Sequence, residues 1–159
     1  MTDTPKGPED LASIETLRSM SGLEFMRAVK AGRLPAAPIA RTLGYELVEV
    51  EEGRVVFAGE ARFDLYNPIG SVHGGWFGTL LDSCMACAIQ TRLPAGKGYT
   101  TLEYKINILR AATVKSGVIR AEGSAVHVGR RTATAEGRMV DAAGKLYATG
   151  VTTCLVLDL

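Results

Sequence analysis

Residues 70–92 read GSVHGGWFGTLLDSCMACAIQTR. Between His73 and Arg92 the only charged residue is Asp82, with Leu80, Leu81, Met85 and Ile89 around it. The run predicts a helix over 74–91, apolar on every side and therefore buried on every side. A carboxylate in the middle of such a helix is costly unless it is paired or put to use.

Working outward, strand-like runs flank the helix. Leu43 to Val50 and Arg54 to Ala61 form a hairpin across the turn EEG. After the helix come 99–109, 116–127, 131–140 and 146–157, with DAAG (141–144) as a hairpin turn. In the middle pair Ile119, Ala121, Gly123 and Ala125 share one face, as do Ala133, Ala135, Gly137 and Met139. Faces this small let something bulky lie close to the sheet. Short links favour antiparallel pairing. The expected architecture is α+β, a six-stranded antiparallel sheet curved around one central helix. A single sheet covers only part of that helix, so a second subunit is expected to help. The domain expected from this pattern runs over 41–159. Ahead of it, 1–40 reads as an extension with a polar start and two short helices between Leu11 and Ala31. Ser21 and Glu24 have capping-box spacing, Gly32 serves as a C-cap, and Pro35 and Pro38 prevent continuation.

The chain has 159 residues, 47% hydrophobic and 22% charged, with a formal net charge of +1. One domain with a real core fits that length. The charge balance argues against a nucleic-acid or anionic-membrane surface. The first residues, MTDTPKGPEDLAS, contain no apolar stretch of the secretory kind. The three cysteines, Cys84, Cys87 and Cys154, sit in apolar stretches and read as reduced thiols, so a cytoplasmic location is expected. Cys84 and Cys87 have redox-motif spacing, but they lie mid-helix, where small residues letting the sheet approach explain them.

Around Asp82 three neighbours suggest chemistry. His73-Gly74-Gly75 opens the helix, where N–H groups lack intrahelical partners and glycine admits a ligand, a natural oxyanion hole for a carbonyl. Asn67 lies in a loop that can fold over the helix start, and Thr101 can hydrogen-bond the Asp or a water. The plainer alternative is a buried Asp held by backbone or a hydroxyl with no catalytic duty. Gly74 and Asp82 are separated by ~12 Å of axial rise on one helix. One carbonyl must sit about 3 Å from both nucleophile and oxyanion donor. If both act on one carbon, they come from two subunits.

These residues carry a resemblance. NPIGSVHGGWFGTLLDSCMACA (67–88), TLEYKINILRAA (101–112) and AVHVGRRTATAEGRMVDAAGKLYATG (125–150) resemble the hotdog-fold acyl-CoA thioesterases of the phenylacetate-degradation type. The likeness covers about 40–157. It implies a helix wrapped by a six-stranded sheet, and dimers that pair again into tetramers. It implies Asp82 as nucleophile or general base, the Gly74 N–H polarising the thioester oxygen, and Asn67 holding the attacked group or water. It also places His73 beside the thioester, Thr101 assisting the carboxylate, and Arg110, Arg130 and Arg131 near CoA phosphates. Where the family often has Pro after the strand-end Arg, this chain has Ala111. The first 40 residues match less clearly and are expected to border the acyl pocket.

The reading agrees with the chemistry: burial strips water from the carboxylate, and CoA thiolate leaves readily without a metal. With only His73 and His127, a histidine-based metal site is not expected, nor any cofactor beyond the CoA of the substrate. Two alternatives stand beside hydrolysis. One is a hotdog dehydratase or hydratase using His73; the other is a non-catalytic acyl-CoA-binding protein.

Overall fold

The structure, a computed structural model, describes residues 5–159. Its element order is α1 (Ile14–Ser19), α2 (Gly22–Lys30), α3 (Pro38–Leu43), β1 (Tyr45–Glu51), β2 (Arg54–Glu60), α4 (Gly74–Gln90), β3 (Lys97–Ile108), β4 (Val118–Val128), β5 (Thr132–Asp141) and β6 (Leu146–Asp158). The strands form one six-stranded sheet in the order β1-β2-β4-β5-β6-β3. Every pairing is antiparallel, and α4 packs on the face lined by the small residues. The α+β arrangement expected from the sequence is the one observed. No helix among the described residues is long and apolar enough to cross a membrane.

The close approach of helix to sheet has a specific cause. Gly123, Gly137 and Gly150 are register partners on β4, β5 and β6, forming a row across the sheet. A Cβ on Gly123 would lie 2.2 Å from the Cys84 carbonyl oxygen, and one on Gly137 would lie 2.8 Å from Met85. The middle of α4 therefore rests against bare backbone. Leu80, Leu81, Met85 and Ile89 are fully buried there, each contributing about 1.5–3 kcal/mol of transfer free energy. Trp76 and Phe77 also belong to the core.

At the N-terminal side the expected capping box forms: the Ser21 hydroxyl accepts from Glu24 N–H, and the Glu24 carboxylate accepts from Ser21 N–H. Gly32 follows α2 with φ +68°. One expectation is corrected. The strand expected from Leu43 begins at Tyr45, because Pro38 opens the short helix α3 and Gly44 (φ +67°) closes it. Proline at a first helical position loses no hydrogen bond and arrives with its φ already set. The residue expected to bar one helix here starts the next.

Both ends of the sheet are edges. On β3 the helix-facing Tyr104 and Ile108 lie over Gly78 and Gly74 of α4. They nonetheless remain 45% and 44% exposed. A bulge separates Thr101, opposite Cys154, from Glu103, opposite Thr153. Bulges often re-aim a side chain beside an active site.

Candidate active site

Asp82 projects from the middle of α4 and is half-buried. Its Oδ1 accepts a hydrogen bond from the Thr101 hydroxyl at 3.0 Å, the contact anticipated from the sequence. No described ion pair includes Asp82. Burial raises its pKa above the usual carboxylate value, and the Thr101 bond partly opposes the rise. The surrounding groups are neutral. Burial raises the phenols of Tyr45 and Tyr99 and pushes the Cys87 thiol up to about 12, so none carries charge at neutral pH. The Cys84 and Cys154 thiols are raised the same way, and all three cysteines are free. Their setting agrees with packing rather than redox chemistry.

Asp82 and Thr101 lie on the wall of a cavity of about 1030 Å³. It extends over the C-terminal half of α4 and is bounded by β1, the start of β3 and the N-terminal helices. Tyr99 and the Tyr45–Ser83 hydroxyl pair, 3.0 Å apart, also line it. Tyr99 is legible in principle: strand alternation puts it on the face of Thr101. Tyr45 meets Ser83 only through the tertiary fold.

The tip of α4 is organised by His73. Its Nδ1 accepts from the Gly75 N–H at 2.9 Å, and its carbonyl accepts from Trp76 N–H at 3.1 Å. His73 is thus the N-cap, its Nδ1 spent on the helix tip. Gly74, the first helical residue, has no intrahelical acceptor for its N–H, and no other acceptor among the described residues takes it. Asn67 is occupied locally. Its Oδ1 accepts from the N–H groups of Ile69 and Ser71, and its Nδ2 donates to the Ser71 hydroxyl at 3.1 Å. The side chain therefore shapes the loop that leads to the helix tip.

The basic residues divide between two places. Arg130 and Arg131 are exposed at the β4–β5 turn, beside a groove of about 500 Å³ that Lys97 and Leu155–Asp158 also line. Arg110 is exposed beyond the far end of β3, a strand spanning ~40 Å. Within one chain they are not brought together, and neither are Asp82 and Gly74.

The thioesterase superfamily matches residues 69–148, half of the chain and the part holding the helix tip, Asp82 and Thr101. The chain belongs to that superfamily. This hotdog thioesterase is 28% identical over 108 residues to the 1,4-dihydroxy-2-naphthoyl-CoA hydrolase of Listeria monocytogenes, covering 68% of this chain and 86% of that protein. It is also similar to a crystal structure from Ralstonia eutropha described as a phenylacetic acid degradation-related protein. The TM-score there is 0.74 and the identity 28%, over 82% of this chain and 98% of that one. A mutant of the phenylacetic acid degradation protein PaaI from Thermus thermophilus matches at 32% identity and TM-score 0.67, over 75% of this chain and 98% of that one.

Proposed function

We propose that this thioesterase hydrolyses an acyl-CoA thioester at a site completed by a second copy of the chain. The observation that carries the reading is Asp82: the one charge of α4, half-buried, unpaired with any cation among the described residues and set on the wall of a large cavity. Desolvation raises the energy of its ionised form, which favours attack or proton removal over remaining a carboxylate. Asp82 either adds to the thioester carbon or takes a proton from the water that does. In both cases the carbonyl oxygen gains charge, the carbon–sulfur bond breaks, and the sulfur departs with its electron pair as CoA thiolate; where Asp82 adds, water then cleaves the acyl–Asp82 anhydride to the free acid and restores the carboxylate. The Gly74 N–H is the donor suited to the developing oxyanion. Thr101 orients the carboxylate, Asn67 holds the loop before the helix tip, and His73 caps that tip.

Two separations within the chain support a dimer. Asp82 is ~12 Å of helix from Gly74, and Arg130 and Arg131 lie a strand's length from Arg110. Antiparallel pairing of β3 with its copy sets the Thr101 end of one strand against the Ile108 end of the other. That single two-fold operation carries Asp82 toward the partner's Gly74, and Arg130 and Arg131 toward the partner's Arg110, where CoA phosphates fit. It also covers Tyr104 and Ile108. A dimer of dimers then follows the family pattern. The capping of His73 disfavours the dehydratase reading, since Nδ1 is engaged by the Gly75 N–H.

Asp82→Asn tests the proposal. The variant folds and loses a thousandfold or more in turnover, as for a lost nucleophile or base; undiminished thiol release overturns the assignment. Asn67→Ala, which loses the bonds holding the loop at the helix tip, is also inactive, and mixing it with Asp82→Asn restores part of the activity in hybrid dimers. No recovery after demonstrated subunit exchange rejects the shared site.

A further inference from the structure

We infer that the N-terminal helices are the fixed roof of an acyl chamber in this subunit, selecting long apolar acyl groups over short ones. This rests on the thioester reading of Asp82 and adds the substrate class. Cavities that take drug-sized molecules run to about 300–1,000 Å³. The one at Asp82, about 1030 Å³, is at the top of that range and far exceeds what a two- to four-carbon acyl group fills.

Its lining tells what it holds. Leu17, Phe25 and Val29 from the roof meet Leu47 from β1 and Tyr99 from β3 around one space, and each remains only half-buried. Apolar side chains gathered this way gain by excluding water, which an apolar guest completes. The Tyr45 and Ser83 hydroxyls hydrogen-bond to each other, so part of the polarity of that stretch of wall is spent within it. Apart from Asp82, the charged lining residues, Lys30, Arg41 and Glu46, are exposed and remain hydrated at the rim. A thioester carbon placed at Asp82 thus points its acyl tail under α2.

The roof is built in rather than draped. Gly22 N–H donates to the Leu93 carbonyl at 3.0 Å. A Cβ at Gly22 would lie 1.8 Å from the Gln90 carbonyl oxygen, so α2 sits directly on the C-terminal end of α4. Met26 and Ala28 are buried beneath it. A roof tied down at this depth fixes the width of the cleft beneath it, and width discriminates between tails.

The experiment varies chamber size at two lining residues away from the chemistry, Val29→Phe and Phe25→Ala. Thiol release is followed from butyryl-CoA to dodecanoyl-CoA, and in parallel the binding of the matching non-hydrolysable S-alkyl-CoA thioethers is measured by calorimetry. Wild type favours the long members. Val29→Phe lowers kcat/KM for dodecanoyl-CoA relative to butyryl-CoA by at least about tenfold, and Phe25→Ala moves the optimum to longer tails. Proportionate changes along the whole series in both readouts overturn the chamber, as does a wild-type preference for butyryl. If wild type releases no thiol but thioether binding still follows tail length and shifts with Val29→Phe, the hydrolase reading falls and the chamber stands.

Discussion

The face of α4 turned away from the sheet has two halves that are treated differently. Over its C-terminal half, Ser83, Ala86, Cys87 and Gln90 look into a cavity closed by the chain's own N-terminal helices. Over its N-terminal half, Gly75 is exposed and Gly74 and Thr79 half-exposed, with Tyr104 and Ile108 uncovered beside them. The roofed half is flanked by larger apolar side chains and holds a volume. The bare half consists of small residues, which permit a second helix to come close. Asp82 stands at the boundary, where the proposed mechanism brings the acyl tail and the thioester carbonyl together.

The largest expected effect comes from spoiling the bare half. Thr79→Arg places a bulky charge on the bare half of α4, which the proposed two-fold pairing turns toward the partner. The chain then sediments as a monomer, with activity falling by a hundredfold or more while circular dichroism is retained. An active monomer breaks the comparison. Spoiling the roofed half acts on stability and selectivity instead. Gly22→Ala forces α2 off the Gln90 carbonyl, lowering stability by about 1–3 kcal/mol in denaturant titrations. The same variant loosens the preference among acyl tails and leaves the dimer intact.

Much of this is readable in the chain. Asp82 is conspicuous as the sole charge between His73 and Arg92, and the alternating small residues of β4 and β5 announce a helix lying close. Thr101 can be placed on Asp82 because both fall where helix and following strand run side by side. Other parts are hidden for physical reasons. Pro38 is as compatible with a helix start as with a helix stop, so α3 escapes a reading of the sequence. Asn67 before a proline has the character of a turn residue, and only its three local hydrogen bonds show that its side chain is spent on its own loop. The roof depends on Gly22 meeting Gln90 across distant sequence, which no local pattern encodes.

Two smaller effects sharpen the boundary at Asp82. Its raised pKa means that kcat/KM climbs with pH as the carboxylate ionises, at a midpoint above that of an ordinary aspartate. Thr101→Val removes the bond that favours the ionised form, so the pH–rate profile moves further up. A profile unchanged by Thr101→Val separates that hydroxyl from the chemistry. The sign for stability is opposite. A carboxyl whose folded pKa is raised contributes stability below its unfolded pKa, and that contribution is lost as pH rises through the folded value. At neutral pH Asp82→Asn therefore melts higher than wild type while turning over far less substrate, a trade of robustness for reactivity. A lower melting temperature for this variant contradicts the desolvation argument.

The row Gly123–Gly137–Gly150 has a consequence for where such chemistry can be adjusted. It acts as a spacer of zero thickness between scaffold and catalyst. A methyl group added at Gly123 has to lift the middle of α4 by roughly 1 Å, given its 2.2 Å approach to Cys84. Asp82, two residues away, would ride with it, against a reacting geometry that tolerates about half an ångström. The proposed alignment of Asp82 with the partner's Gly74 N–H is thereby gauged from behind, by strands that do not line the cavity.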